Sequence, residues 1–237
     1  MNINRLFNQY LILVLCLGMS SLSFAAETIG VLTVVIGTVS IEREGSSIAA
    51  ELNSKLYEDD VIATGGRSRA KVYLLDQTAI YISQNAELTL DKFVYSGDED
   101  SVSLKVTKGT FRFISGQVAK KTPEKVNIET PVATIGIRGT EFLGHIHEVE
   151  SVFHLFSGKI EVANDIYTQH IVAPGHHVTI DPSGLISTPV KLSDEKLNVL
   201  VDRVSHHKSA LDNDVPESSR EKDEGEHEED DKVEARE

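Results

Sequence analysis

Between Thr28 and about Ser187 the apolar residues recur at every second position, in short runs broken by turns. In Ser101 to Val106, the side chains of Val102, Leu104 and Val106 share one face and their polar neighbours share the other. That two-residue period is the mark of a half-buried strand. It returns in Val72 and Leu74, in Leu88 and Leu90, and in Val126 and Ile128. Turn signals separate the runs at Gly65-Gly66, Ser96-Gly97, Ser115-Gly116, Pro174-Gly175 and Pro182-Ser183-Gly184. Helical periodicity does not extend through this range. The pattern predicts an all-β, mostly antiparallel domain.

A short repeat runs through it. Gly37 to Ile41, Gly109 to Phe113 and Gly158 to Val162 each read glycine, polar, apolar, polar, apolar. Glycine enters backbone conformations that side chains resist, and the two apolar positions after it point to one face. The repeated unit is a turn feeding a strand. Either an irregular β-helix or a two-sheet sandwich would use it, and the pattern alone does not separate them.

The ends differ from this middle. Residues 1–25 combine a positive start at Arg5, an apolar run from Tyr10 to Leu17, and small residues at Ser23 and Ala25. These are the parts of a secretory signal peptide, and the run is shorter than the roughly 18 residues that cross a bilayer. Lipidation at Cys16 is not expected, because bulky Leu15 precedes it. Cys16 is also the chain's single cysteine, so the mature protein is expected without disulfides. The β-domain is assigned to residues 26–187 and an amphipathic C-terminal helix to residues 188–211. Within the latter, about Ser193 to Leu211, the residues Leu197, Leu200, Val201 and Val204 lie on one helical face. Residues 212–237 carry a net charge of −9 out of −14 for the whole chain, with no aromatic residue. Such a segment buries too little to offset its ordering entropy, so an acidic disordered tail is expected. An acidic chain without a basic stripe is a poor partner for nucleic acid.

One stretch has the look of a functional loop: Thr130 to Phe142, TPVATIGIRGTEF. It is not a phosphate loop, because no lysine follows Gly139, and a dinucleotide fingerprint would need a third glycine ahead of a helix. The flanks read as strands instead. Pro131 closes the strand before it, Val132 and Ile135 or Ile137 enter the core, and Gly139 is expected to make a turn. Arg138 has two readings: a brace that pairs with a nearby carboxylate and loop carbonyls, or an exposed docking point. Thr140 is expected to bond the backbone locally.

Catalytic chemistry has little to stand on. The Gly-x-Ser-x-Gly elbow of many hydrolases is missing, and no carboxylate pair is singled out for glycoside hydrolysis. His145 and His147 alternate about Ile146, and His154 on the next strand could face them, which would suit zinc or copper. No standard metal spacing supports that group, so no metal, cofactor or catalytic residue is assigned.

The same stretch resembles the signature of the FecR domain, whose usual form is Thr-Pro-x-Ala-x-x-Gly-(Val/Ile)-Arg-Gly-Thr-x-Phe. Here Thr130, Pro131, Gly136, Arg138, Gly139, Thr140 and Phe142 fill the matching places. Asp60 to Gly65, Ala70 to Asp76 and Gly158 to Val162 resemble further family elements, in order. The resemblance implies a non-enzymatic extracytoplasmic β-domain. In the family's best-known members this domain relays the state of an outer-membrane siderophore transporter to a cytoplasmic sigma factor. Those members carry an anti-sigma segment and a membrane span ahead of the domain, whereas here a leader precedes Thr28. Direct contact with a sigma factor is therefore not expected. The expectation is a periplasmic or secreted binding or signalling-accessory module whose partner is an envelope protein or glycan. A glycan- or metal-binding module is the alternative, and a hydrolase the remote one.

Overall fold

The computed structural model describes residues 27–97 and 99–205. Among these described residues fifteen strands join into one open sheet. In chain order they are β1 (Gly30–Ile36), β2 (Val39–Arg43), β3 (Ser46–Ala49), β4 (Lys55–Leu56), β5 (Val61–Thr64), β6 (Arg69–Leu74), β7 (Ala79–Ile82) and β8 (Glu87–Val94). Then follow β9 (Ser101–Ile114), the short helix α1 (Gln117–Lys121), β10 (Val126–Glu129), β11 (Thr134–Ile146) and β12 (Ser151–Ala163). The last elements are β13 (Thr168–Ile171), β14 (His176–Ile180), β15 (Val190–Lys191) and the helix α2 (Asp194–Ser205).

Three long strands organise the whole. The first part of β9 pairs with β8 and β10, and its second part with β7 and β11. The first part of β11 pairs with β10 and its second part with β9, while β12 runs beside it throughout. In turn β12 holds β14 near its start and β13 near its end. The sheet therefore divides into two halves that share these strands. Half I contains β4, β1, β6, β7, β14 and β15; half II contains β3, β2, β5, β8, β10 and β13. Strands that switch sheets at bends are how crossed two-sheet packings make their corners. All ladders are antiparallel apart from the parallel pair of β9 and β10.

The repeat glycines stand at these corners. Gly109 and Gly158 interrupt β9 and β12 where each passes between halves, and Gly37 lies between β1 of half I and β2 of half II. All three have positive φ, of 91°, 81° and 74° respectively. At Gly109 a Cβ would also overlap the Cβ of Ala86, so both backbone conformation and space exclude a side chain. The repeat thus marks the bends of a folded-over sheet, which favours the sandwich over the β-helix.

Burial follows the alternation closely. Val72, Leu74, Leu88, Leu90, Val102, Leu104, Val106, Val126 and Ile128 are all at most 2% exposed, and residues of both halves enter one core cluster. At the centre of half I, the ring of Phe142 meets Phe111 edge-on at 5.6 Å and Phe113 at 5.7 Å. Such aromatic pairs add to the burial energy itself.

The C-terminal helix is present over Asp194–Ser205, and residues 206–211 of the expected helix lie outside the described residues. Its Leu197 and Val201 are half-buried, and the helix approaches β9. The side chains of Leu200 and Val204 lie outside the described residues, as do the leader 1–25 and the acidic tail 212–237. No described helix is long and apolar enough to cross a membrane.

Candidate functional site

The motif Thr130 to Phe142 builds a corner in two steps. A tight turn comes first, where the Thr130 hydroxyl donates to the Ala133 carbonyl at 2.7 Å and accepts from the Ala133 N–H at 3.1 Å. Pro131 sits exposed in this turn, beyond the end of β10. From Thr134 the chain enters β11 and does not turn again. Gly139, with φ of 57°, is a bulge inside a continuous strand, so the expected turn there is corrected to a bend. Pairing with β12 continues on both sides of the irregularity, which keeps the strand from reversing.

Thr140 locks the bend. Its hydroxyl donates to the Lys159 carbonyl at 2.6 Å and accepts from the Arg138 N–H at 3.0 Å. Its own N–H reaches the Ser115 hydroxyl at 2.9 Å, and its carbonyl accepts from the Ser115 N–H at 3.0 Å. Ile135 and Ile137 are both buried on the core side, and Phe142 is fully buried beyond the bend.

The carboxylate brace expected of Arg138 belongs to a different arginine. Arg112 of β9 pairs with Glu141 and lies 5.1 Å above the Phe156 ring. Arg138 is exposed, and its side chain forms no hydrogen bond or ion pair among the described residues. Directly across the ladder from it stands Lys159, likewise without an ion-pair partner. In the sequence Lys159 is no more than the polar residue that follows Gly158 in the glycine repeat. Its position opposite Arg138 is fixed by register between distant strands, which no local pattern carries.

Beside the two cations the outer surface of half II sinks into an open hollow of about 790 Å³. Gly136 forms part of its floor, and Asn127, Glu161 and His170 surround it. Glu161 and His170 are cross-strand partners with 3.5 Å between carboxylate and ring nitrogen. The edge strand β13 bounds this side. Among the described residues it pairs with β12 alone, whereas β14, next along the same strand, is covered by β15.

The histidines do not gather as the metal reading requires. His145 faces Val152 across the ladder, and His154 faces Leu143. The rings of His145 and His147 stack at 5.8 Å, with the Thr110 hydroxyl 2.8 Å from His145 Nδ1. Among the described residues no group of three or more His, Cys, Asp or Glu side chains is placed to hold a metal ion. His154 has a different environment. It is 1% exposed, its two ring nitrogens have no hydrogen-bond partner among the described residues, and it lies beside His177. Burial, reinforced by His177 and His176, lowers its pKa to about 4. His154 and Leu143 are buried but stand outside the main core cluster.

The buried acids are occupied with the fold. Asp60 accepts two 2.7 Å bonds from Arg43 and one from the Tyr57 N–H at 2.8 Å. Asp76 accepts from the N–H and hydroxyl of Thr78, at 3.0 and 2.9 Å, and Asp100 from the N–H groups of Ser96 and Gly97. None of the three lines the hollow.

Residues 60–161 match the family model described as FecR protein. The chain carries a FecR domain. The matched region begins at the buried Asp60 and ends in β12, so the FecR domain holds all three crossing strands. The fold recurs in crystal structures of a candidate anti-sigma factor from Parabacteroides distasonis ATCC 8503. One gives a TM-score of 0.50 and another 0.49, both at 14% identity and covering 60% of this chain. The likeness spans 64% of that protein, less than two thirds of its length, and at this identity it concerns the fold alone. No curated protein matches the chain.

Proposed function

We propose that this FecR-domain protein is a non-catalytic binding or signalling-accessory module of the cell envelope, periplasmic or secreted, that acts through contacts with another protein. The observation that carries this reading is the open edge of β13. That strand offers backbone groups on one side, and exposed apolar residues flank it: Ile166 at 71%, Tyr167 at 39% and Val172 at 59%. An uncovered edge is a template for an added strand, and it persists in a soluble protein where a partner uses it. The motif residues Thr130, Pro131, Gly136, Gly139, Thr140 and Phe142 serve, in this reading, to hold the corner beside that edge, with Arg138 displayed on it.

Photocrosslinking tests it. A benzophenone side chain placed at Tyr167 or Val172 in cells of the source organism should give a discrete adduct with one envelope protein. The same group at Lys92, on the β8 strand away from this edge, should not. Absence of any protein adduct from the β13 positions, or equal labelling from Lys92, would overturn the assignment.

A further inference from the structure

Arg138 and Lys159 form a pair that the fold does not need. They are direct cross-strand partners, and like charges placed opposite one another repel. Neither finds a carboxylate among the described residues, although Glu124 and Glu161 line the same hollow. Gly136 lies two residues before Arg138 and therefore on the same outward face. Unlike the corner glycines it does not have positive φ, and a Cβ there would meet only the Cβ of Glu161 at 3.8 Å, an ordinary contact. A glycine inside a strand lowers stability, and one that neither conformation nor crowding demands marks a place where another chain comes close.

We propose that this hollow receives an acidic residue from an extended segment of a partner protein. The carboxylate is shared between the Arg138 guanidinium and the Lys159 ammonium, and the segment's backbone lies over Gly136. Arginine's planar fork suits a carboxylate in two-point contact, with lysine adding a point charge. The rim decides which anion fits. Glu124 and Glu161 repel a continuous run of negative charge, as does the chain's net −14, so a polyanion such as nucleic acid or an anionic lipid surface is disfavoured. An isolated carboxylate with neutral or basic neighbours is accepted. Apart from His170, no aromatic ring among the described residues lines the hollow to stack on sugar faces, which favours peptide over glycan. This inference rests on the protein-binding reading above and specifies its chemistry.

The test is an NMR titration of the purified protein with a capped pentapeptide whose central glutamate is flanked by valines, and with its glutamine counterpart. The glutamate peptide should shift the amides of Gly136, Arg138 and Lys159. Its affinity should fall about tenfold on replacement by glutamine, and by a similar factor in the folded R138A/K159A double variant. Lys191→Ala, on β15, serves as a charge-matched control and should bind as the native protein does. Equal affinity for the two peptides, shifts confined to other residues, or undiminished binding by the double variant would overturn the proposal. Tighter, competing binding of heparin or of phosphatidylglycerol vesicles would overturn the choice of a protein segment. If the double variant still gives the β13 adduct in cells, the protein-binding reading stands and the carboxylate site alone falls.

Discussion

The carbonyl oxygen of Gly139 occupies the space that a side chain on Gly158 would need. Two bends in neighbouring strands are therefore nested, with backbone pressed against backbone, and the Thr140 hydroxyl bond to Lys159 closes the same junction. Gly158→Ala is expected to destabilise the protein by about 3 kcal/mol or more, since positive φ and a backbone overlap act together. Gly136→Ala is the contrasting case. It should leave the midpoint of urea unfolding unchanged or raise it by up to about 1 kcal/mol of stability, because neither constraint applies there. Equal losses at the two positions would contradict this account of the corner.

Arg43 and Asp60 form the most buried ion pair of the described residues, with the aspartate 0% exposed. Arg43→Met would leave that carboxylate with only the Tyr57 N–H bond. A loss of about 3 kcal/mol is expected, as for other buried pairs broken on one side. Denaturant unfolding at pH 7 measures it directly, and a change below about 1 kcal/mol would show the pair to be dispensable.

Acid should weaken the fold through His154. Its pKa is lowered to about 4 in the folded protein against an ordinary 6.5, so the unfolded chain binds the proton more readily between those values. Stability contributed by the neutral ring is complete above about pH 6.5, declines as pH falls through this window, and is gone below about 4. Up to about 3 kcal/mol is at stake by this route. His154→Phe should flatten that part of the profile in thermal unfolding. A slope that survives the substitution would locate the sensitivity elsewhere, with His177, whose pKa burial also lowers, the next position to change.

Arg138→Ala should alter stability by less than about 0.5 kcal/mol, because the side chain is exposed and holds nothing in place. Arg112→Ala, which removes the partner of Glu141 and a cover of Phe156, should cost about 1 kcal/mol. Circular dichroism melts of the two variants side by side would reveal a reversed order if Arg138 were the brace.

Much of this architecture can be read from the chain because burial on a pleated strand has a period of two. Val102, Leu104 and Val106 declare their face without knowledge of any partner, and the three repeat glycines are visible as a pattern. What the glycines do is not visible, since a bend between sheet halves depends on strands far apart in sequence. Gly109 is crowded by Ala86, and Gly158 by Gly139. The same limit hid the pairing of Arg112 with Glu141 and the opposition of Arg138 and Lys159. His154 is a related case: nothing in its local pattern shows that it is buried outside the main core cluster.

Continuity of β9, β11 and β12 through both halves has a mechanical consequence. Layers joined only by loops can hinge apart, whereas here three strands carry the backbone across the corner, bent at Gly109, Gly139 and Gly158 and paired with neighbours on both sides of each bend. Separating the two layers at this corner would require breaking ladder hydrogen bonds of β9, β11 and β12, so the fold resists opening along this line.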